Sequence, residues 1–291
     1  MLFTIAIPTY NNEKTIAGAV RSALGQSYPE EFEVLVVNNA STDGTLEEIT
    51  RCNDQKLRVI SNPDTVGMYE NHNICLEQAK GDYVLFCHSD DSLCEDALVY
   101  LRDVIEKRHY PKKYIVWGHS MFRDYQENLK HCGQQINTVL SGMPALDCFY
   151  RGGVSPSGTC YSRESMIKIG GFPTFDAKIQ LSDWYVLIFC VFQHFEFEMI
   201  DRLLFIREYG STALNNMVWK DWWPNYRVVL DKLEETLDPM QLSRLISYIK
   251  QDTRFYPWLK SHWSFRQRVR YILYCVFSQP LSSFKHFVLH I

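Results

Sequence analysis

Asp90 and Asp91 stand side by side in the stretch Gly81-Asp82-Tyr83-Val84-Leu85-Phe86-Cys87-His88-Ser89-Asp90-Asp91-Ser92-Leu93. Two adjacent carboxylates can do two kinds of work. One can hold a hard divalent cation, which takes oxygen ligands and keeps positions open for substrate phosphates. The other can accept hydrogen bonds from a ribose or sugar hydroxyl. Successive side chains on an extended backbone point to opposite sides, so the two acids are expected to face different partners. A plainer reading stays open at this point, because acids near a helix start also favour the helix dipole.

The flanking residues say what must position this pair. The apolar run 83–87 reads as a buried strand. Ser92-Leu93-Cys94-Glu95 has the S-x-x-E spacing of a helix capping box. The carboxylates are therefore predicted where a strand stops and a helix starts, the end of an open α/β sheet at which ligands bind. Upstream, residues 3–8 form an apolar strand ending in Pro8-Thr9-Tyr10-Asn11-Asn12, followed by a helix with Ile16, Val20 and Leu24 at helical spacing. Residues 32–37 form a second strand, ending in Asn38-Asn39-Ala40-Ser41-Thr42-Asp43-Gly44-Thr45, with Asp43 as an N-cap for a helix over 45–51. A third strand is expected at 57–61 and a third helix at 68–79. Strands alternating with helices predict a parallel-type α/β sheet. No G-x-G-x-x-G follows the first strand and no G-x-x-x-x-G-K occurs anywhere, which argues against a dinucleotide oxidoreductase and a P-loop NTPase.

The chain has 291 residues, 46% of them hydrophobic, enough for one large or two modest domains. A net charge of -4 predicts no nucleic-acid partner. Nine cysteines, an odd number without a C-x-x-C pair, read as reduced thiols of a cytoplasmic protein. The start, Met1-Leu2-Phe3-Thr4, lacks a basic region and reads as no signal peptide. Residues 184–192 and 271–277, the longest apolar runs, fall short of the ~18 residues needed to span a bilayer.

The segments Ile5-Ala6-Ile7-Pro8-Thr9-Tyr10-Asn11, Val36-Val37-Asn38-Asn39-Ala40-Ser41-Thr42-Asp43-Gly44-Thr45, 67–83 and His88-Ser89-Asp90-Asp91 follow one another in order and spacing. In this they resemble the nucleotide-binding half of family-two glycosyltransferases with the GT-A fold. The resemblance implies that Pro8, Thr9 and Tyr10 cradle the nucleotide base and that Asn39, usually Asp, contacts it. It implies Asp91 as ligand of a divalent cation (Mn2+ or Mg2+), with Asp90 nearer the ribose and donor sugar. It also places Asn73 and its neighbour among the donor-binding residues. Two departures stand out. Asn38-Asn39 replaces an acid pair, and an amide both donates and accepts where a carboxylate only accepts. Asn39 could pair with uracil or thymine, or suit another base. His72 stands where many members have Arg, and a neutral His loses a fixed phosphate or base contact; packing or capping by His72 and Asn73 is the other reading.

Farther along, residues 114–118 are a further strand candidate, 126–140 a polar acceptor-side loop, and 152–158 a turn-rich stretch. It leads into a strand at 159–162 and a helix over 164–169 stopped by Gly170-Gly171. This part resembles the family's acceptor-binding segment. In Leu181-Ser182-Asp183-Trp184, Asp183 matches the family's catalytic base, with Ser182 in place of the usual Glu. Sugar transfer by direct displacement needs a group to take the proton of the attacking hydroxyl; a helix N-cap is the alternative. Tyr209 replaces a family histidine, and Arg207 is a phosphate contact or a structural pair.

Residues 253–291 hold no Asp or Glu and mix basic with aromatic residues, including Arg254, Arg266, Arg268, Arg270, Trp258, Trp263 and Tyr271. Such a segment suits the face of an anionic membrane, or a helical cap with a solvated basic side. The domains expected are 1–215, a GT-A catalytic domain with a nucleotide-sugar half (1–110) and an acceptor-side half (111–215), and 216–291, a helical extension. The resemblance then implies a cytoplasmic, inverting enzyme at the inner membrane face. It would move a sugar from a nucleotide-sugar, UDP- or dTDP-linked, to a glycan or lipid-linked acceptor in surface-polysaccharide synthesis. The competing expectation is a degenerate sugar-nucleotide-binding protein that has lost turnover.

Overall fold

The structure, a computed structural model, describes residues 1–122, 128–129, 138–142, 144–146, 154–175, 182–207 and 219–249. Gly152, Gly153, Tyr209, most of the expected 126–140 loop and the tail 253–291 lie outside the described residues.

The first strand, β1 (Phe3–Thr9), is buried along its whole length. It lies between β2 (Phe32–Asn38) and β4 (Tyr83–Phe86), and pairs parallel to both. Beyond β2 runs β3 (Leu57–Ser61), also parallel. Runs buried on both faces carry near-continuous apolar sequence, which is why these strands are legible without alternation. Three helices connect them: α1 (Ile16–Leu24), α2 (Thr45–Thr50) and α3 (Met68–Gln78). Helix α1 buries Ile16, Ala19, Val20 and Ala23, one face of a 3.6-residue period. The chain leaves β1 towards β2 on one side and returns to β4 on the other, so β1 and β4 flank a switch in strand order. Ligand crevices open at the carboxyl ends of strands at such a point.

The other strands are β5 (Asp91–Leu93), β6 (Tyr114–Phe122), β7 (Asn128–Leu129), β8 (Val139–Leu140), β9 (Thr159–Ser162) and β10 (Glu196–Arg207). With the first four they form one sheet, ordered β3-β2-β1-β4-β9-β6-β10-β5, with β7 on β6 and β8 on β10. The expected parallel-type sheet holds for the first four strands and again where β10 pairs parallel to β6, but the second half mixes directions. Strand β9 runs antiparallel to both β4 and β6, and β5 antiparallel to β10. A sheet that mixes directions needs no helix after every strand; among the described residues α4 (Ala97–Lys107), α5 (Arg163–Lys168) and α6 (Ser182–Phe192) intervene, together with short helical pieces at 142 and 144–146. The expected polar loop over 126–140 also holds two strand pieces, β7 and β8.

The capping-box reading of Ser92–Glu95 is corrected. Ser92 and Leu93 belong to β5, and α4 begins only at Ala97. The pairing of β5 with β10 supplies backbone partners that a four-residue sequence window cannot show.

The chain divides into two units, Met1–Val218 and Trp219–Ile291. In the second, α7 (Trp219–Thr236) and α8 (Pro239–Ile249) are joined by a short turn. Asp238 Oδ1 accepts from the Met240 and Gln241 amides at 2.8 Å each and so caps α8. Among the described residues no helix is long and apolar enough to cross a membrane.

Candidate active site

Asp90 lies in the link between β4 and β5, and Asp91 is the first residue of β5. The link is a tight turn and not an extended strand end, closed by the Asp91 amide donating to the His88 carbonyl at 3.0 Å. Two neighbours hold it. Ser89 Oγ donates to Asn12 Oδ1 (2.8 Å), in the loop after β1, and the His88 amide donates to Ser157 Oγ (3.0 Å). The turn overrides the alternation expected of an extended chain. Ligand atoms of His88, Asp90 and Asp91 all lie within 4.8 Å of one another. That is close to twice a ~2.1 Å metal–oxygen bond. Two carboxylates and an imidazole are a donor set that fits a divalent transition cation.

The antiparallel register sets Arg207, the last residue of β10, opposite Asp91. The guanidinium is near enough to act on two more groups. Burial chiefly lowers His88, to about 4, with Asp90 raising it and Arg207 adding to the lowering, and Arg207 also favours the charged form of Asp183. Arg207 therefore links the β4–β5 turn to the start of α6.

Asp183 sits in the first turn of α6. Burial raises its carboxyl from the usual range to about 6, against the lowering pull of hydrogen bonds from the Trp184 amide and the Tyr69 hydroxyl and of Arg207. The Trp184 bond measures 2.9 Å. Ser182 before it is fully buried, its hydroxyl donating to the Pro173 carbonyl at 2.7 Å. A serine suits that dry position, where the charge of a glutamate would be costly.

Helix α3 supplies the floor. Tyr69 reaches Asp183, and His72 is buried against Phe86 and Phe172, with ring centroids at 5.1 and 5.7 Å. His72 Nδ1 lies 2.8 Å from the Met68 carbonyl and its Nε2 lies 3.2 Å from His88 Nε2. Burial pushes His72 down to about 3, so the ring is neutral. Asn73 does not reach into this group with its amide. Nδ2 donates to the Phe172 carbonyl (2.7 Å) and Oδ1 accepts from the Phe172 amide (2.8 Å), which ties α3 to the turn after Gly170-Gly171.

At the end of β1, Pro8 and Thr9 are buried, whereas Tyr10 is 47% exposed. The Asn39 amide donates to the Thr9 carbonyl at 2.9 Å, joining the loops after β1 and β2. The Asn39 side chain differs from the expected open base contact. Its Oδ1 accepts from the Val66 amide (2.9 Å) and from Asn62 Nδ2 (3.0 Å), and its Nδ2 donates to the Val66 carbonyl (2.8 Å). Asn62 in turn donates to Asn71 Oδ1 at 2.9 Å. The two lone pairs of the oxygen are used, and one N–H remains.

Of the residues singled out in the sequence, Asp90, Asp91, Asp183 and Arg207 are thus brought together. Pro8, Thr9 and Tyr10 lie at the neighbouring strand end, while Asn39 and Asn73 bond to the protein itself. Sequence reasoning missed Tyr69, His88 and Asn12. The i, i+3 spacing of Tyr69 and His72 on one helix face was the available signal. A surface hollow of about 640 Å³, lined by Lys80, Asp82, Tyr110 and Arg163 among others, lies at the opposite ends of β1 and β4.

The sequence model described as glycosyl transferase family 2 matches residues 4–166, more than half of the chain. The chain belongs to glycosyl transferase family 2. The poly(ribitol-phosphate) β-N-acetylglucosaminyltransferase TarS of Staphylococcus aureus is 36% identical over 112 residues, 38% of this chain and 20% of TarS. The UDP-Glc:α-D-GlcNAc-diphosphoundecaprenol β-1,3-glucosyltransferase WfgD of Escherichia coli is 32% identical over 160 residues, 51% of this chain and 63% of WfgD. These matches span between a fifth and just under two thirds of the relatives' own lengths. Among solved structures, S. aureus TarS 1–349 in complex with UDP-GlcNAc superposes with a TM-score of 0.69 at 20% identity, covering 100% of this chain and 79% of that one. A mannosyltransferase from Pyrobaculum calidifontis, in complex with GDP-Man and Mn2+, gives 0.60 at 16% identity, covering 99% and 78%. At such identities the likeness is one of fold, and the fold is GT-A.

Proposed function

We propose that this chain is an inverting glycosyltransferase that moves a sugar from a UDP-sugar to a hydroxyl of a glycan or lipid-linked glycan in surface-polysaccharide synthesis. The observation that carries the reading is the convergence, beside the carboxyl ends of β1 and β4, of three parts. These are a carboxyl raised to about 6, the cationic Arg207, and the His88–Asp90–Asp91 group.

Tyr10, exposed at the strand end, offers a face on which the base stacks. The one N–H left on Asn39 suits an acceptor such as O4 of uracil or thymine, which keeps UDP first and dTDP second. Arg207 contacts the diphosphate, and Asp90 accepts from ribose or sugar hydroxyls. Asp183 takes the proton of the acceptor hydroxyl as its oxygen bonds to the anomeric carbon. The nucleoside diphosphate leaves from the opposite face, which inverts the configuration. A base titrating near the working pH is well matched to that transfer. A Mn2+ or Mg2+ ion on Asp91 would neutralise charge on the departing diphosphate.

Two points of support come from relatives. TarS crystallises with UDP-GlcNAc, and WfgD is named for an undecaprenol-linked acceptor. The basic, aromatic composition of 253–291 agrees with contact to an anionic membrane from the cytoplasmic side.

The test is thermal unfolding with a panel of nucleoside diphosphates, with and without Mn2+, followed by NMR of the transfer product. A ligand selective for the native state raises the melting temperature. The expected result is a Mn2+-dependent shift largest with UDP and a product of inverted anomeric configuration. No shift with any nucleoside diphosphate, or a retained configuration, would overturn the proposal.

A further inference from the structure

The pair His72–His88 is a chain of defined proton positions. The Met68 carbonyl oxygen can only accept, so His72 Nδ1, at 2.8 Å, carries a proton. His72 is 3% exposed and packed against the rings of Tyr69, Phe86 and Phe172, surroundings that disfavour a second proton, so its Nε2 is bare. The contact of 3.2 Å between the two Nε2 atoms then requires that His88 Nε2 be the donor. That leaves Nδ1 as the nitrogen of His88 with a lone pair to offer. The arrangement is rigid. The two rings meet edge to face at 89°, and His72 is packed by Tyr69, Phe86 and Phe172. The backbone amide of His88 is anchored separately on Ser157. Metal-ligating histidines donate their other ring N–H to an acceptor that fixes the tautomer, and here the bare Nε2 of His72 is that acceptor.

We infer that His88 Nδ1 is a ligand of the divalent cation beside Asp90 and Asp91, and that His72 is a positioning residue that holds His88 in the ligating tautomer. The inference rests on the divalent-cation reading given above and extends it to a nitrogen donor. It also accounts for the neutral His72 in place of a cationic residue, because a fixed positive charge there would donate to His88 and repel the ion. The consequence is selectivity. An imidazole added to two carboxylates favours Mn2+ and later transition ions over Mg2+, which prefers oxygen throughout.

The experiment is pulsed EPR of the full chain loaded with Mn2+, with calorimetry of Mn2+ and Mg2+ binding alongside. The wild type should show electron-spin-echo modulation from a directly bound 14N. His88→Asp should still bind Mn2+, lose the modulation, and show a smaller preference for Mn2+ over Mg2+. His72→Phe removes the acceptor for His88 Nε2 and should weaken Mn2+ binding by about 10–100-fold. His72→Gln restores an acceptor oxygen and should recover most of that loss, which a packing role alone would not predict. Mn2+ bound by the wild type without 14N modulation would overturn the ligand assignment while leaving the cation reading intact. Modulation that survives His88→Asp would do the same. Unchanged Mn2+ affinity in His72→Phe would overturn the positioning role. A wild type that binds no Mn2+ would overturn both this inference and the cation reading beneath it.

Discussion

Asp183 shows at residue scale how a site sets function against stability. Burial raises its carboxyl from 3.8 to about 6, so above that pH the folded protein carries a charge that the unfolded chain holds more easily. The sign follows from proton counts. Between pH ~3.8 and ~6 the folded state holds a proton that the unfolded state has released, so stability falls as pH rises through this window. Below it both states are protonated and the penalty is absent. Asp183→Asn is therefore expected to be more stable than wild type at pH 7, by on the order of 1–3 kcal/mol. That gain should vanish by pH 4, as urea denaturation at the two pH values would show. The same substitution should lower kcat by about 10²–10⁴-fold, the usual worth of a general base, with UDP binding retained. A wild-type rate that falls as pH drops through 6 belongs to the same carboxyl and is read from the pH profile of kcat.

The site depends, at the scale of elements, on close approaches that leave no room for side chains. A Cβ at Gly81 would lie 2.5 Å from the Thr4 amide nitrogen and 2.7 Å from the Phe3 carbonyl carbon. Both are backbone atoms at the start of β1 and cannot yield. Gly81→Ala should cost about 1–3 kcal/mol in chemical denaturation, by forcing β4 away from β1. A second tie joins α3 to the turn before α6. Gly171 has φ +68°, and a Cβ there would run into the Asn73 amide that bonds Phe172 on both sides. Asn73→Ala leaves the Phe172 amide and carbonyl without these partners and should destabilise by about 1–3 kcal/mol. Its effect on donor KM should be small if the amide serves the scaffold; a large rise in KM with unchanged stability would return Asn73 to the donor site.

At the scale of the whole molecule, the two units invite separate tests. The first holds every candidate site residue; the second contains the basic, aromatic segment whose expected partner is an anionic membrane. Reversing Arg266, Arg268 and Arg270 to Glu should abolish sedimentation with phosphatidylglycerol vesicles while leaving the UDP-induced thermal shift unchanged. The attraction amounts to ~1 kcal/mol per basic residue near the surface, so three reversals are decisive. Binding that persists would mean that this segment does not make the membrane contact.

What the sequence by itself determined is whatever a short window encodes. Buried parallel strands need continuous apolar runs, so β1, β2, β3 and β4 were legible to within a residue or two at their ends. So was the polar chemistry at their carboxyl ends, and with it the family. Tertiary structure alone decided the partners. Tyr69 with Asp183, His72 with His88, Arg207 opposite Asp91, and Asn39 with Val66 and Asn62 join segments distant in the chain. The turn at Asp90 and the strand at Ser92 likewise exist because Asn12, Ser157 and β10 satisfy their polar groups. A propensity is a property of a few neighbouring residues. Desolvation, and the choice of which donor meets which acceptor, arise only when the chain closes on itself, and they set the protonation of Asp183 and His72.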